Sequence, residues 1–393
     1  MADLETFNAL LGANGQRLLA AIMAHGLTEE NTLALATTLR QQYPAPLVAA
    51  AMTQARLRAR ARTKFGDDAA RMYFTQAGLE QATSAPIAAH RAIRYRATRR
   101  IADLCCGIGG DLRALADGHI TLAVDRDPLT AAIAAANMRA LGLSDRVIVR
   151  CDDVTTIDLM GYDAAFLDPA RRTATRRVFN VADYQPPWSF IAALVGRVGN
   201  LGVKVAPGIP HALVPPDAEA EWLSLDGDVK EAALWFGALR TEGVCRRATL
   251  LPSDATLIAT MREPPPVALP RRYLYEPDGA VIRAHLVAEV AALVNGTLLD
   301  PTIAYITSDT LTATPFARRY TIEEAMPFNL KRLRAYLRER GIGHVVIKKR
   351  GSPLTPEALM KDLRLSGDNR RILFLTKVSG KHTVLIGCEG EKN

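Results

Sequence analysis

A chain of 393 residues exceeds what one core ordinarily fills, so two or three domains are expected. Hydrophobic residues at 49% and charged residues at 23% exclude a disordered or fibrous chain, and no apolar run nears the ~20 residues a membrane-spanning helix needs. A formal charge of +8 favours a polyanionic partner, while five cysteines without a C-x-x-C spacing argue against a disulfide framework or a structural metal and for a reducing cytoplasm.

Residues 1–70 read as helices. Leu10, Leu11, Leu18, Leu19 and Ile22 recur at helical spacing, a second helix starts near Thr28, and a third follows Pro46. The third ends in Arg56, Arg58, Arg60, Arg62 and Lys64, every second residue, which spreads the charges around a helix. The start, MADLETFNALL, lacks the basic and apolar segments of a signal peptide. Residues 73–96 precede the stretch on which the chain turns, RRIADLCCGIGGDLR over 99–113. There an apolar strand carries Asp103 near its end and runs into Gly107, Gly109 and Gly110, and a helix opens near Asp111. Glycines at such a turn allow positive φ and close approach of a ligand, and a helix start leaves N–H groups open.

A dinucleotide site would require glycine at Leu112, so G-x-G-x-x-G fails. The pattern D-L-C-C-G-I-G-G instead resembles the first motif of class I S-adenosylmethionine-dependent methyltransferases. The resemblance implies that Asp103, Cys105, Gly107 and Gly109 wrap the methionine part of the cofactor. It also places Phe74, Thr75 and Thr83 over it, as in RNA-directed members related to trimethylguanosine synthases. The strand Ile120–Val124 ends at Asp125, where the family holds the ribose hydroxyls, with Arg126 beside the adenine. After the strand Val147–Arg150, Asp153 or Asp152 would accept from the adenine amino group.

A fourth strand, 163–167, delivers Asp168-Pro169-Ala170-Arg171. Family members that methylate base nitrogens carry [D/N]-P-P-aromatic here. Asp168 and Pro169 keep that pattern, Ala170 and Arg171 depart from it, and Arg171 is expected to stack on the target or to hold a phosphate with Arg172. Arg176 and Arg177 follow in a loop that ends near Tyr184. Lys204, inside the strand 201–205, is expected to pair with Asp168 or to face the substrate. Two further strands, near 231–236 and 246–251, are expected to complete the sheet as an antiparallel pair. Prolines at 264–266 and 270 mark a boundary.

From Arg271 to Asn393 the sequence holds 20 Lys and Arg against 13 Asp and Glu, so 20 − 13 = +7 of the whole chain's +8 lies there. The helices read there are 284–294, 330–340 and 356–363, and the strands run into Lys348 and over 371–377 and 382–386. The stretch IKKRGSPLTPEALMKDLRLSGDNRRILFLTKVSGKH over 347–382 resembles the THUMP-like domain found behind bacterial methyltransferase domains, which implies RNA as a partner, with Lys348, Lys349, Arg350, Arg370, Arg371 and Lys381 as one basic row.

The expected architecture is α/β. It has a helical N-terminal segment (1–70), a Rossmann-like seven-stranded class I methyltransferase sheet (71–262) and a smaller α+β domain (271–393). The expected activity is methyl transfer from S-adenosylmethionine to a base nitrogen in tRNA or rRNA. Its rivals are a catalytically inactive protein that binds the cofactor or RNA, and a small-molecule methyltransferase. No metal site and no membrane association are expected.

Overall fold

A computed structural model describes residues 3–171, 184–260 and 262–390. Two compact units result, Met1–Glu219 with Ala232–Glu242, and Ala220–Glu231 with Gly243–Asn393. Among the described residues no helix is long and apolar enough to cross a membrane.

The first unit opens with four helices, α1 (Leu4–Leu11), α2 (Ala13–His25), α3 (Thr32–Leu39) and α4 (Ala45–Phe65). Gly12 separates α1 from α2 where one continuous periodicity would be read. The buried Phe7, Leu10, Leu18, Ile22 and Leu57 share one apolar cluster with Phe74, Leu79, Ile108 and Ile133. The helical segment therefore packs directly on the glycine turn and on a helix of the sheet layer. The alternating cations of α4 do not form an anion-binding row. Arg58 is buried, donates to the carbonyls of Met72 and Arg71, and lies over the Tyr73 ring. Lys64 Nζ donates to the carbonyls of Leu79, Glu80 and Ala82. These are the open carbonyls at the end of α5 (Gln76–Gln81), so Lys64 serves as its C-terminal cap. The α4 cations fix the segment that leads through Thr83 into α6 (Ala85–Ala92).

The sheet strands follow: β1 (Arg100–Leu104), β2 (Ile120–Asp125), β3 (Val147–Cys151), β4 (Ala164–Leu167), the short ribbon β5 (Ala170–Arg171) with β6 (Tyr184–Gln185), and β7 (Leu201–Val205). Between them run α7 (Leu112–Leu115), α8 (Pro128–Ala140) and α9 (Trp188–Val198). The order β7-β4-β1-β2-β3 is parallel throughout. It reverses direction on either side of β1, which places a crevice at the carboxyl ends of β1 and β4. β8 (Glu219–Leu225) and β9 (Asp228–Trp235) come next, and β9 pairs antiparallel with β7. β10 (Arg246–Leu251) pairs parallel with β8 and antiparallel with β11 (Ala255–Ile258). The expected pairing of 231–236 with 246–251 is thus replaced, because β8, passed over in the sequence, supplies the partner of β10.

In the second unit a seven-stranded sheet has the order β13-β14-β12-β15-β18-β17-β16. Its strands are β12 (Tyr273–Pro277), β13 (Thr297–Asp300), β14 (Ile303–Ser308), β15 (Ala317–Pro327), β16 (Ile342–Lys349), β17 (Asn369–Val378) and β18 (Lys381–Glu389). The helix expected over 284–294 starts later, as α11 (Val287–Leu293), and a separate short helix, α10 (Gly279–Arg283), precedes it, the two being parted at His285 with φ +56°. α12 (Leu330–Glu339) and α13 (Pro356–Leu363) pack on the sheet through Leu333, Leu337, Leu359 and Leu363.

Asn137 of α8 is fully buried and ties the first unit together. Its Oδ1 accepts from the Tyr73 N–H (2.6 Å), and its Nδ2 donates to the carbonyls of Tyr73 (3.1 Å) and Ile108 (2.8 Å). Asn137→Ala leaves these backbone groups unpaired in the interior. It is expected to lower the unfolding free energy by about 2–4 kcal/mol in urea denaturation, whereas a loss below about 0.5 kcal/mol would contradict this role.

Candidate active site

The strand registers assemble the site. Leu104 is level with Val124 on one side and Leu167 on the other. The next residue of each strand is Cys105, Asp125 and Asp168, so two carboxylates flank one thiol at the carboxyl edge. Cys105 takes φ +62°, and its thiol is pushed far up by burial and by Asp125, Asp168 and Asp103. Asp103, one residue back on β1, is 1% exposed, and neither of its oxygens has a hydrogen-bond partner. Burial, followed by the neighbouring Asp168, pushes its carboxyl up to about 8. A carboxylate in this position is costly unless a cation or donor meets it.

The turn that follows is shaped to admit a ligand. Gly107 has φ +56°, and a Cβ placed there would meet nothing within 4 Å. Its N–H donates to Asp125 Oδ2 at 3.0 Å, while Asp125 Oδ1 accepts from Asp127 N–H at 3.0 Å. Burial raises the Asp125 pKa. At Gly110 a side chain would press on the Thr83 backbone at 3.1 Å. The turn and the segment before β1 are therefore packed without room for a Cβ there.

Lys204 resolves as the ion-pair partner of Asp168. Val203 is level with Leu167, so Lys204 stands beside Asp168 on the adjacent strand. Its Nζ donates to Asp168 Oδ2 at 2.7 Å and to Thr83 Oγ1 at 2.9 Å. Thr83 passes its own proton to Asp111 Oδ2 at 2.7 Å, and Asp111 Oδ1 accepts from Arg91. Arg91 is 2% exposed and lies over the Phe166 ring at 4.4 Å. A continuous buried chain thus joins α6, the glycine turn and the ends of β7 and β4. Sequence reasoning passed over Asp111 and Arg91. Their one local signal was a carboxylate placed directly after Gly109-Gly110.

The remaining expected residues fall at different distances from this centre. Thr83 lies inside the network. Thr75 caps α5 by accepting from Gly78 N–H, and Phe74 is fully enclosed against Phe65, in the helical core. No ring face of Phe74 is open to a ligand. Arg126 donates to Gln185 on β6 at 2.9 Å. Asp152 accepts from Asp153 N–H. Asp153 is exposed and accepts from Thr155, whose backbone N–H lowers its pKa. Asp152 N–H donates to the Asp125 carbonyl, which holds this loop beside the end of β2. Pro169 is buried, and Arg171 lies on β5. The Arg171 side chain and Arg172, Arg176 and Arg177 lie outside the described residues.

In the second unit the expected basic row divides. β16 and β17 run parallel, with His344 level with Arg370 and Lys349 level with Leu375. Lys348–Arg350 therefore stand about 10–20 Å along the sheet from Arg370 and Arg371, at ~3.3 Å per residue. Several of these charges are also engaged. Lys348 and Arg350 pair with Glu276, which also accepts from the Tyr320 hydroxyl. Arg371 pairs with Glu323 at 2.7 Å. Lys349, Arg370 and Lys381 remain exposed.

Comparison with known proteins agrees with this arrangement. Residues 317–389 match the model of the THUMP domain-like family, and residues 3–61 match a domain of unknown function. A protein of Porphyromonas gingivalis W83 assigned as a methyltransferase has the same fold. Its crystal structure superposes with a TM-score of 0.76 at 23% identity, covering 93% of this chain and 100% of that one. The parallel sheet, its glycine turn and the carboxylates at its strand ends define a Rossmann-like methyltransferase fold. Uncharacterized S-adenosylmethionine-dependent methyltransferases of Mycobacterium tuberculosis, strains H37Rv and CDC 1551 / Oshkosh, are each 35% identical over 334 residues, spanning 82% of this chain and 90% of theirs. The chain belongs to the family of S-adenosylmethionine-dependent methyltransferases.

Asp103 ionises above about pH 4 in the unfolded chain but only near pH 8 in the folded one. Between these values the folded state alone holds the proton, so Asp103 makes stability fall as pH rises from about 4 to about 8. Asp103→Asn removes this loss. Without ligand, the variant is expected to melt a few degrees above the wild type at pH 8 and to approach it at pH 4–5, as followed by circular dichroism. A variant less stable at pH 8 would mean that Asp103 has a partner that holds the fold.

Proposed function

We propose that the protein transfers the methyl group of S-adenosylmethionine to a base nitrogen of RNA, in tRNA or rRNA. The observation that carries the cofactor half is Asp103: a buried carboxylate with two open oxygens beside an open glycine turn. That donor set fits the cationic amino end of S-adenosylmethionine. When bound, the cofactor supplies a methyl group already activated on a sulfonium. Asp125 would accept from the ribose hydroxyls with the lone pairs left over from Gly107 and Asp127. Asp153, or else Asp152, would face the adenine. Gly107 and Gly109 would let the main chain approach, and Cys105 would line the same turn.

Asp168, through Oδ1, would accept an N–H of the target and so aim the nitrogen lone pair at the methyl carbon. The chemistry needs little beyond this orientation. Pro169 and the backbone at Arg171 would frame the target. The RNA half is supported by the THUMP-like match over 317–389 and by the charge excess of that region. Of the expected basic row, Lys349, Arg370 and Lys381 are the ones left exposed to phosphates.

Transfer of tritiated methyl to total RNA from cells lacking the gene tests the whole reading. Wild type is expected to label RNA and Asp168→Ala to lose at least about 100-fold, on the scale of a lost orienting contact. No labelling, with cofactor binding intact, would favour a small-molecule acceptor or a binding protein. Affinity for the labelled RNA is expected to fall with salt. Arg370→Ala and Lys349→Ala should each reduce the log–log slope by about one unit, as measured by filter binding, and an unchanged slope would remove them from the interface.

A further inference from the structure

Among the described residues, Lys204 is the cation placed directly on the carboxylate that would face the methyl acceptor. A lysine within a central strand, with a side chain only 13% exposed, is unfavourable unless it is held. Here it is held at two points, Asp168 Oδ2 and Thr83 Oγ1. Thr83 is itself fixed by Asp111, and Asp111 by Arg91. The ammonium therefore has little freedom to swing away, and Asp168 has one oxygen committed to it. Asp168 Oδ1 has no partner among the described residues. The charge of the pair also reaches the cofactor-facing carboxyl: Asp168 raises the pKa of Asp103 and Lys204 lowers it. Arg91 with Asp111 and Lys204 with Asp168 each sum to zero, which leaves Asp103 and Asp125 as the acids of the cluster without an ion pair among the described residues.

We infer that Lys204 is a positioning residue that balances and orients Asp168, so that the pair is neutral before ligands arrive and Asp168 offers the methyl acceptor a single carboxylate oxygen. The acceptor class that fits is a group giving Asp168 one N–H or O–H, and not an amine or amidine gripped by both oxygens. The altered Asp168-Pro169-Ala170-Arg171 sequence agrees with this. The acceptor is held by one oxygen opposite a fixed cation, without the second proline and aromatic ring of the usual pattern.

The inference rests on the cofactor reading, and binding alone tests both. S-adenosylmethionine, with its sulfonium, and S-adenosylhomocysteine, with a neutral sulfur, are titrated into full-length protein by calorimetry. Wild type is expected to bind both. Lys204→Met leaves Asp168 as a bare anion and is expected to raise the ratio of the two affinities in favour of the sulfonium by about tenfold, the scale of one uncompensated, partly buried charge. Lys204→Arg should restore the wild-type ratio. Asp168→Asn, which leaves the cation bare, should shift the ratio by about tenfold in the opposite direction and serves as the second variant if Lys204→Met does not fold. A purely structural lysine would change both affinities together and leave the ratio in place, which overturns the inference. If the wild type binds neither compound, the cofactor reading fails first and the inference falls with it.

Discussion

A carboxylate buried without a partner governs this molecule. Asp103 closes the central strand of the first unit, faces the like charge of Asp168, and finds no hydrogen bond for either oxygen. Folding alone gives no reason to keep it, since an apolar or amide side chain would be less costly there. Everything around it limits that cost without removing it. Lys204 holds the neighbouring Asp168, Arg91 holds Asp111, and Gly107 turns a backbone N–H toward Asp125. The arrangement leaves an acid at the ligand-facing end of the sheet that a bound cation would ionise and satisfy.

The rest of the first unit holds this edge in place. The N-terminal helices bury their apolar faces against the glycine turn and α8, and their cations cap and anchor the segment that carries Thr83. Of the five cations that end α4, Arg58 and Lys64 serve as internal scaffolding, while Arg56, Arg60 and Arg62 stay exposed. The second unit shows a similar conversion. Glu276, Lys348, Arg350 and Tyr320 form an ionic cluster on its sheet, so part of the excess positive charge is used within the domain and the remainder is carried on exposed side chains.

Much of this site was legible in the sequence because strand-end positions follow from local pattern. A short apolar run followed by glycines places Asp103, and similar runs place Asp125 and Asp168. The cost of burying a lysine within a strand raised Asp168 as one possible partner of Lys204, and the register of β4 with β7 decided for it. Contacts set by distant segments were not legible. Nothing in the helix around His90 marks Arg91 as buried, and its partner Asp111 lies twenty residues away. The basic row failed for a topological reason: parallel pairing of β16 with β17 sends the end of one strand and the start of the next to opposite ends of the sheet. β8, β11 and β12–β15 were missed because their polarity does not stand out from the surrounding chain. Phe74, a plausible cover for a ligand, satisfies the apolar periodicity of the helical core instead.

The most direct measurement is the proton balance of S-adenosylmethionine binding to the full-length protein near pH 7, by calorimetry in buffers of different ionisation enthalpy. Asp103 is expected to enter protonated and leave ionised against the cationic ligand, so binding should release about one proton, and Asp103→Asn should abolish both that release and most of the affinity. Binding without proton release, unchanged by Asp103→Asn, would contradict the site built around this residue.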